Sequence, residues 1–408
     1  MNVLHVSRGQ VKIAPQGIGF EGHIFHISKY TLQFGHRVTI LDRRYSKEDS
    51  AVEYLDNIEV VRLDAKQLHF GRMPRFLSFI LNELNQLLFS LRVSRYIRKR
   101  GKEFNVIHLH LTLMGNILAE LHRKLRRKMV YTCHVNLWGA SSNQLGLISK
   151  VTLALDSFLM RRVGLVIAQS EEIKRRFISR SKVRPERISV IPEGVDVQLF
   201  KPGVNTDEIK TEYGLKGKVV VLFVGRLSKT KGIEYLVKAA NILVNDWGYR
   251  DVIFLLVGPY QPPEAIDKPV NMKEMFQFMD NSQLRQNVLF AGDFSHQELR
   301  KFYAACDIFV LPSIVDIFGL VITEALASGR PVIGTKVGAI PAQIKDGWNG
   351  FLIDPGDELQ IAEKIKYLVD NPEERTRMGA NSRRYAEQEF DWRKVTAKIL
   401  LIYQQLNE

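Results

Sequence analysis

Two cysteines among 408 residues, Cys133 and Cys306, are too few for a disulfide framework and suit a reducing compartment. Long apolar runs are missing too. The longest apolar stretch, Phe76 to Leu91, is interrupted by Asn82, Glu83, Asn85 and Gln86, short of the roughly 20 mostly apolar residues of a spanning helix. The opening MNVLHVS reads as a buried strand and lacks the basic start and cleavage site of a signal peptide, so a cytoplasmic location is expected. No low-complexity tract or short repeat occurs, and a composition of 45% hydrophobic and 25% charged residues excludes disordered, collagenous and coiled-coil classes. No Asp-x-Asp occurs either, which argues against a metal-bridged diphosphate.

Acidic residues are scarce in one half only. The net charge is +14, yet residues 1–200 carry 32 Lys and Arg against 17 Asp and Glu, while 201–408 carry 26 against 27. Within the first half, residues 72–128 hold 13 basic and 3 acidic side chains. Such asymmetry points to an anionic surface or ligand. Leu77, Ile80, Leu84, Leu88 and Leu91 recur at helical spacing ahead of the basic run Arg92–Lys102. Two readings fit: a core helix with a solvated basic end, or a helix resting on anionic lipid. Zinc-finger spacing and RNA-recognition signatures are absent, so no nucleic-acid partner is expected.

Apolar β-branched runs alternate with amphipathic stretches. Strands are expected at Val3–Val6, Arg37–Leu41, Val106–Leu109, Val130–Cys133 and Leu165–Ala168, then at Val219–Val224, Val252–Val257, Val288–Phe290, Ile308–Leu311 and Val332–Gly334. Helical patterns such as Lys231–Val244 and Leu320–Ala327 lie between them. The alternation implies an α/β fold of two doubly wound, Rossmann-like domains facing each other across a cleft. The expected boundaries are 1–195, a Gly/Pro-rich linker at 196–217, a second domain at 218–385, and a helix at 386–408 that completes the first.

Gly17-Ile-Gly19-Phe-Glu-Gly22, with Asp42 twenty residues on, matches a dinucleotide fingerprint and makes an NAD-dependent oxidoreductase one alternative. Ten residues separate the first strand from Gly17, however, where the fingerprint needs its first glycine in the turn leaving that strand. A long loop feeding a helix at Gly19, with backbone amides near an anion, fits the spacing better.

The second half is more specific. Strand Val219–Val224 runs into Gly225-Arg226-Leu227, with Lys231 five residues after Arg226, so one loop can bring both cations onto a diphosphate. Further on, Asp316 ends a loop, Gly319-Leu320 opens a helix whose free N–H groups suit a phosphate, and Glu324 leans back towards that helix start, within reach of a ribose diol. An acidic helix start favoured by the helix dipole fits the same residues. His134 follows a strand at its carboxyl end, as a cleft residue or a satisfied structural one. Cys133 reads as a small buried residue. His108 and His110 alternate on one strand, two ligands with no third evident, so no metal site is expected.

Leu311-Pro-Ser-Ile-Val-Asp316-Ile-Phe-Gly319-Leu320, Glu324 separated from Asp316 by seven residues, and Pro331-Val-Ile-Gly-Thr-Lys-Val-Gly-Ala-Ile-Pro341 resemble the signature of the retaining glycosyltransferases of family 4, of GT-B fold. The likeness extends over nearly the whole chain: Ile191-Pro-Glu193-Gly-Val-Asp196 is similar to the hinge-side PNGVD sequence, Gly19-x-Glu21-x-His23 to the Gly-rich donor loop, and Gly35-His36 to the helix end behind it. The resemblance implies that Asp316 meets donor-sugar hydroxyls, Glu324 the ribose, and Arg226 with Lys231 the diphosphate. Gly19, Phe318, Gly319 and Leu320 would also border the donor, and His134 would stand near the reacting centre. It implies further a UDP- or GDP-linked sugar donor, no cofactor, no metal, and retention of anomeric configuration. With the basic first half it suggests a lipid-linked or other sugar acceptor at an anionic membrane surface. Three positions depart from the pattern: Asp316 where Glu is usual, Ile317 where Gly is common, and Glu193 where Asn is usual. A nucleotide-sugar 2-epimerase of the same fold and an inactive binding module are the remaining alternatives.

Overall fold

The computed structural model describes residues 1–9, 11–14, 19–65, 75–110, 112–134, 147–259 and 270–406. The chain forms two compact units, Met1–Glu193 with Trp392–Glu408, and Gly194–Asp391.

Unit 1 contains β1 (Asn2–Val6), α1 (Gly19–Gln33), β2 (Arg37–Arg43), β3 (Val52–Leu55), β4 (Ile58–Leu63), α2 (Arg75–Arg100), β5 (Val106–Leu109), α3 (Thr112–Leu121), β6 (Met129–Thr132), α4 (Leu147–Met160), β7 (Leu165–Ala168), α5 (Glu171–Ser181) and β8 (Ile188–Val190). The strands form one sheet in the order β3-β4-β2-β1-β5-β6-β7-β8, parallel except for β3 against β4. Strands β1, β5, β6 and β7 are buried nearly throughout, as continuous apolar runs covered on both faces require. Sequence pattern missed β3, which alternates between exposed and half-buried positions, and β4, which alternates between buried and half-buried ones. They form a hairpin closed by Asp56-Asn57, both in the left-handed region with φ of 48° and 65°, the conformation of a tight two-residue turn.

Unit 2 contains α6 (Asp207–Glu212), β9 (Val219–Val224), α7 (Ile233–Asn241), β10 (Val252–Val257), α8 (Met272–Asn281), β11 (Val288–Gly292), α9 (His296–Ala305), β12 (Ile308–Leu311), α10 (Leu320–Ala327), β13 (Val332–Thr335), α11 (Ile340–Gln343), β14 (Gly350–Ile353), α12 (Glu358–Asp370) and α13 (Pro372–Tyr385). Its all-parallel sheet runs β11-β10-β9-β12-β13-β14. The helix expected over Lys231–Val244 is divided, because Gly232 sits at φ 70° between a 3-10 turn ending at Lys231 and the start of α7.

Segment 196–217, expected as a linker, is integrated into unit 2. Phe200, Ile209 and Leu215 are buried there, and the Arg383 guanidinium donates to the carbonyls of Val197 and Phe200 at 3.0 and 2.9 Å. Buried apolar anchors fix this stretch despite its turn-rich composition. The returning segment expected at 386–408 divides at Asp391. Residues 386–391 belong to unit 2, whereas α14 (Trp392–Gln405) joins unit 1, burying Trp392, Val395, Ile399 and Tyr403 beside Val3, Val106, Val130 and Ile167.

Among the described residues, no helix is long and apolar enough to cross a membrane. Leu84, Leu87, Leu88 and Leu91 of α2 are exposed, while Asn85, Gln86, Ser90 and Ser94 are buried with Phe89, Val93 and Ile97. Leu84, Leu88 and Leu91 therefore do not face the core as the core-helix reading expected, while the side chains of Leu77 and Ile80 lie outside the described residues. On that side Arg43 donates to the Asn85 main-chain carbonyl at 2.6 Å, Ser90 to the Gln86 main-chain carbonyl at 2.7 Å, and Ser94 meets the His122 ring at 2.9 Å, while the Gln86 side-chain amide has no hydrogen-bond partner among the described residues.

Candidate functional site

In unit 2 the strand order reverses between β9 and β12, since β9, β10 and β11 advance one way and β12, β13 and β14 the other. The loops leaving the carboxyl ends of β9 and β12 therefore diverge there, at the point where open α/β sheets bind ligands. Arg226 and Lys231 lie on the first loop, and Asp316, Phe318, Gly319 and Leu320 on the second. The two loops are clipped together by the amides of Ile314 and Val315, which donate to the Thr230 carbonyl at 2.8 and 3.2 Å. Gly232 makes this approach possible, because a side chain there would meet the Pro312 carbonyl oxygen at 1.9 Å.

Lys231 Nζ donates to Asp316 Oδ2 at 2.6 Å, with the two side chains 17% and 5% exposed. The same carboxylate accepts from the Ser313 hydroxyl at 3.2 Å and from the Ile317 amide at 2.9 Å. Asp316 is thus fixed on three sides by its own loop and the facing cation. Gly338, at φ 55°, backs the turn where a side chain would strike the Asp316 carbonyl at 2.1 Å. Arg226 is half-buried on the β9 loop, five residues before Lys231. Phe318 is buried with its carbonyl accepting from the Gln343 amide, and Gly319, at φ 77°, starts α10 with no side-chain cap. An uncapped start leaves amide N–H groups for an anion.

Glu324 forms a second group on α10. Its Oε1 meets His296 Nε2 at 2.8 Å and its Oε2 accepts from the Tyr303 hydroxyl at 2.6 Å. Burial draws the His296 pKa down, but the hydrogen bond and charge of Glu324, helped by Asp196, outweigh it and raise the value above 6.5. Burial, with the Glu324 charge behind it, pushes Tyr303 well above 10.0, so the phenol remains a neutral donor. Each carboxylate oxygen keeps a second lone pair for a diol. The sequence reading missed His296 and Tyr303. Their seven-residue spacing on α9 was the available signal, since it puts both on one helix face, where Phe200 packs against both rings at 4.9 and 5.5 Å.

The remaining expected residues lie in unit 1. Gly19 is the first residue of α1. His134 lies two residues beyond β6 with its side chain 12% exposed, its Nδ1 3.5 Å from Glu193 Oε1 and its Nε2 3.4 Å from His110 Nδ1. Burial, with the charges of His23 and Arg8, holds its pKa well below 6.5 and leaves the ring neutral. Cys133 is buried, as expected of a packing residue, and burial pushes the Cys306 thiol up to about 12. Gly17 and Ile18 of the dinucleotide fingerprint fall outside the described residues. Asp42, the acid that fingerprint needs for a ribose, is fully buried. It accepts from Ser7, Tyr45, the Ile13 amide and Arg62, at 2.6, 3.3, 3.1 and 2.7 Å, so it does not offer itself to a diol.

Residues 205–385 match the family described as glycosyl transferases group 1, and residues 18–199 match glycosyltransferase family 4. A relative along most of the chain is D-inositol 3-phosphate glycosyltransferase 1 of Catenulispora acidiphila, 27% identical over 405 residues, covering 94% of this chain and 90% of that protein. Sucrose-phosphate synthase from Thermosynechococcus elongatus superposes with a TM-score of 0.80 at 23% identity, covering 99% of this chain and 98% of that one. Anabaena HepE, solved in complex with UDP-glucose, gives a TM-score of 0.74 at 23% identity, covering 99% and 100%. The matched stretches take in Asp316, Glu324, Arg226 and Lys231 in one unit and His134 in the other, and the chain belongs to glycosyltransferase family 4, a glycosyltransferase of the GT-B type.

Proposed function

We propose that this chain transfers a sugar, with retention, from a nucleoside-diphosphate sugar held in unit 2 to a lipid-linked acceptor at an anionic membrane surface. The observation that carries the donor part is the Lys231–Asp316 pair at the point where the sheet order of unit 2 reverses. An arriving diphosphate offers Lys231 a stronger anionic partner. Asp316, released from Lys231, then accepts hydrogen bonds from sugar hydroxyls. Arg226 binds the diphosphate from the same loop, α10 contributes its first amides, and Glu324, steadied by His296 and Tyr303, takes the ribose diol.

Breaking the anomeric bond builds negative charge on the departing phosphate, and fixed cations and amides aimed at it stabilise that charge. Arg226 and Lys231 perform this neutralisation without a metal bridging the diphosphate. HepE, a protein of similar fold, binds UDP-glucose, which supports a UDP-linked donor here. The acceptor part rests on α2, where exposed leucines precede exposed arginines.

A thermal-shift panel of UDP-, GDP- and ADP-sugars tests the donor, because a ligand bound only by the native state raises its apparent stability. The expected result is a rise with a UDP-sugar that disappears in Arg226→Ala, together with a loss of about 10²–10³ in turnover. Full turnover in that variant removes Arg226 from the mechanism. Product anomeric configuration, read by NMR, decides retention, and product formation without acceptor would favour an epimerase.

A further inference from the structure

Unit 1 gathers five histidines and a glutamate at the carboxyl ends of its central strands. Parallel pairing puts His5 of β1 beside His108 of β5, and His110 follows one residue beyond that strand. His134 arrives just after β6, His23 from α1, and Glu193 after β8. As possible metal ligands the sequence reading weighed only His108 and His110 and expected no metal site, because the other residues come from segments that only the fold brings together.

We propose that His23, His110 and His134 bind one divalent transition-metal ion of the zinc class, with Glu193 and His5 orienting their rings. The site shares His134 with the residues that the family resemblance puts near the reacting centre, and its test reads metal binding rather than sugar transfer, so the two readings can fail separately. One ring nitrogen from each of the three lies within 4.8 Å of the others. His110 Nδ1 and His134 Nε2 are 3.4 Å apart. Zinc–nitrogen bonds of about 2.0–2.1 Å in a tetrahedron set ligand nitrogens roughly 3.3 Å apart.

The hydrogen bonds assign the remaining nitrogens. Glu193 engages Nδ1 of both His23 and His134, one through each carboxylate oxygen. Both rings are thereby set to present Nε2. His5 Nδ1 lies 3.1 Å from His110 Nε2, which sets His110 to present Nδ1. A carboxylate or a second polar group on the far nitrogen is how metal-binding imidazoles are oriented. His23 Nε2 is buried and has no hydrogen-bond partner among the described residues, a costly state for an interior nitrogen that a bound ion relieves.

The alternative trio His5, His108 and His110 fits less well. His108 is already occupied at both nitrogens, by the Tyr403 hydroxyl at 2.5 Å and by Thr132 Oγ1 at 2.7 Å. Imidazole ligands suit zinc, and the single negative charge of Glu193 partly offsets the dication. Three protein ligands leave a fourth position for water or a ligand hydroxyl.

The test is a titration of the chelator-treated full chain with Co2+, followed by Zn2+. The expected result is one equivalent of Co2+ giving tetrahedral visible bands, displaced by Zn2+, with a higher melting temperature in the Zn2+ form. His23→Gln and His134→Gln lose the bands, Glu193→Gln binds about 10–100-fold more weakly, and His108→Gln still binds. Circular dichroism checks that each variant is folded. No stoichiometric Co2+ uptake by the unaltered chain overturns the proposal, whatever the variants do. Bands that survive in His134→Gln, or vanish in a folded His108→Gln, overturn the ligand assignment.

Discussion

Lys231 is neutralised by Asp316 at 2.6 Å in the chain without ligand, so an anion that recruits this lysine competes with a buried carboxylate. Removing the carboxylate has opposite effects on two measurable quantities. Asp316→Ala is expected to bind the free nucleoside diphosphate about tenfold more tightly, since the competitor is gone. Turnover falls at least tenfold, because the sugar loses its acceptor. Calorimetry and initial rates on one preparation check both, and weaker diphosphate binding would refute the exchange. His296 gives a second prediction at this scale. Its pKa is raised in the folded chain, so its contribution to stability is full below pH 6.5 and is lost as pH climbs through the raised value. The melting-temperature gap between the unaltered chain and His296→Gln should therefore narrow from about pH 6 to about pH 9. The placement of Arg226 and Lys231 on the loop after β9, of Asp316 on the loop after β12 and of Glu324 within α10 was legible from the residues, because each lies in a motif beside an apolar run. His296 and Tyr303 were not, because their importance arises from how α9 presents one face to α10.

Helix α2 shows what periodicity reveals and what it conceals. Leu84, Leu88, Leu91, Arg95 and Arg98 fall at alternating steps of four and three, so they share one face, and all five are exposed. The spacing was visible in the sequence, but the buried side was not. Asn85, Gln86, Ser90 and Ser94 face inward beside Phe89, Val93 and Ile97, with Ser90 bonded to its own helix and Ser94 to His122. A leucine face ending in arginines suits the interface of an anionic bilayer. Replacing Arg95 and Arg98 by Gln is expected to weaken binding to anionic vesicles by about 1 kcal/mol each, roughly fivefold per residue. Leu88→Ser and Leu91→Ser should weaken it further while shifting thermal stability by no more than about 0.5 kcal/mol each. Co-sedimentation with anionic and neutral vesicles at low salt measures this, and equal binding to both refutes the assignment. The hairpin β3–β4 and the edge strands β8 and β14 escaped the sequence reading for a related reason. They are short or half-exposed, and the apolar runs that mark central strands are missing from them.

At the scale of the whole molecule, the α/β alternation was readable in the central strands of both units, and the strands bracketing the switch point of unit 2 lie where their apolar runs placed them. The division into units was harder to read, because Phe200 and Arg383 draw the apparent linker into unit 2 through contacts far apart in sequence. The return of the chain through α14 makes unit 1 discontinuous. Trp392, 4% exposed, packs against His23 and His26 of α1 with ring centroids 5.4 Å away in each case. Trp392→Ala should cost about 3–5 kcal/mol. Urea unfolding followed by a signal specific to unit 1 checks this, and a loss below 1 kcal/mol would show that α14 contributes little.

That discontinuity also has a consequence in time. Synthesis at about 5–20 residues per second interposes all of residues 194–391 between β8 and the helix that covers the Val3, Val106 and Val130 face. For tens of seconds the nascent amino-terminal sheet presents bare apolar surface to whatever holds it, while the inserted half already possesses every strand it needs. The part that begins folding first is thus the last to finish, and the helix bearing Trp392 is its final closure.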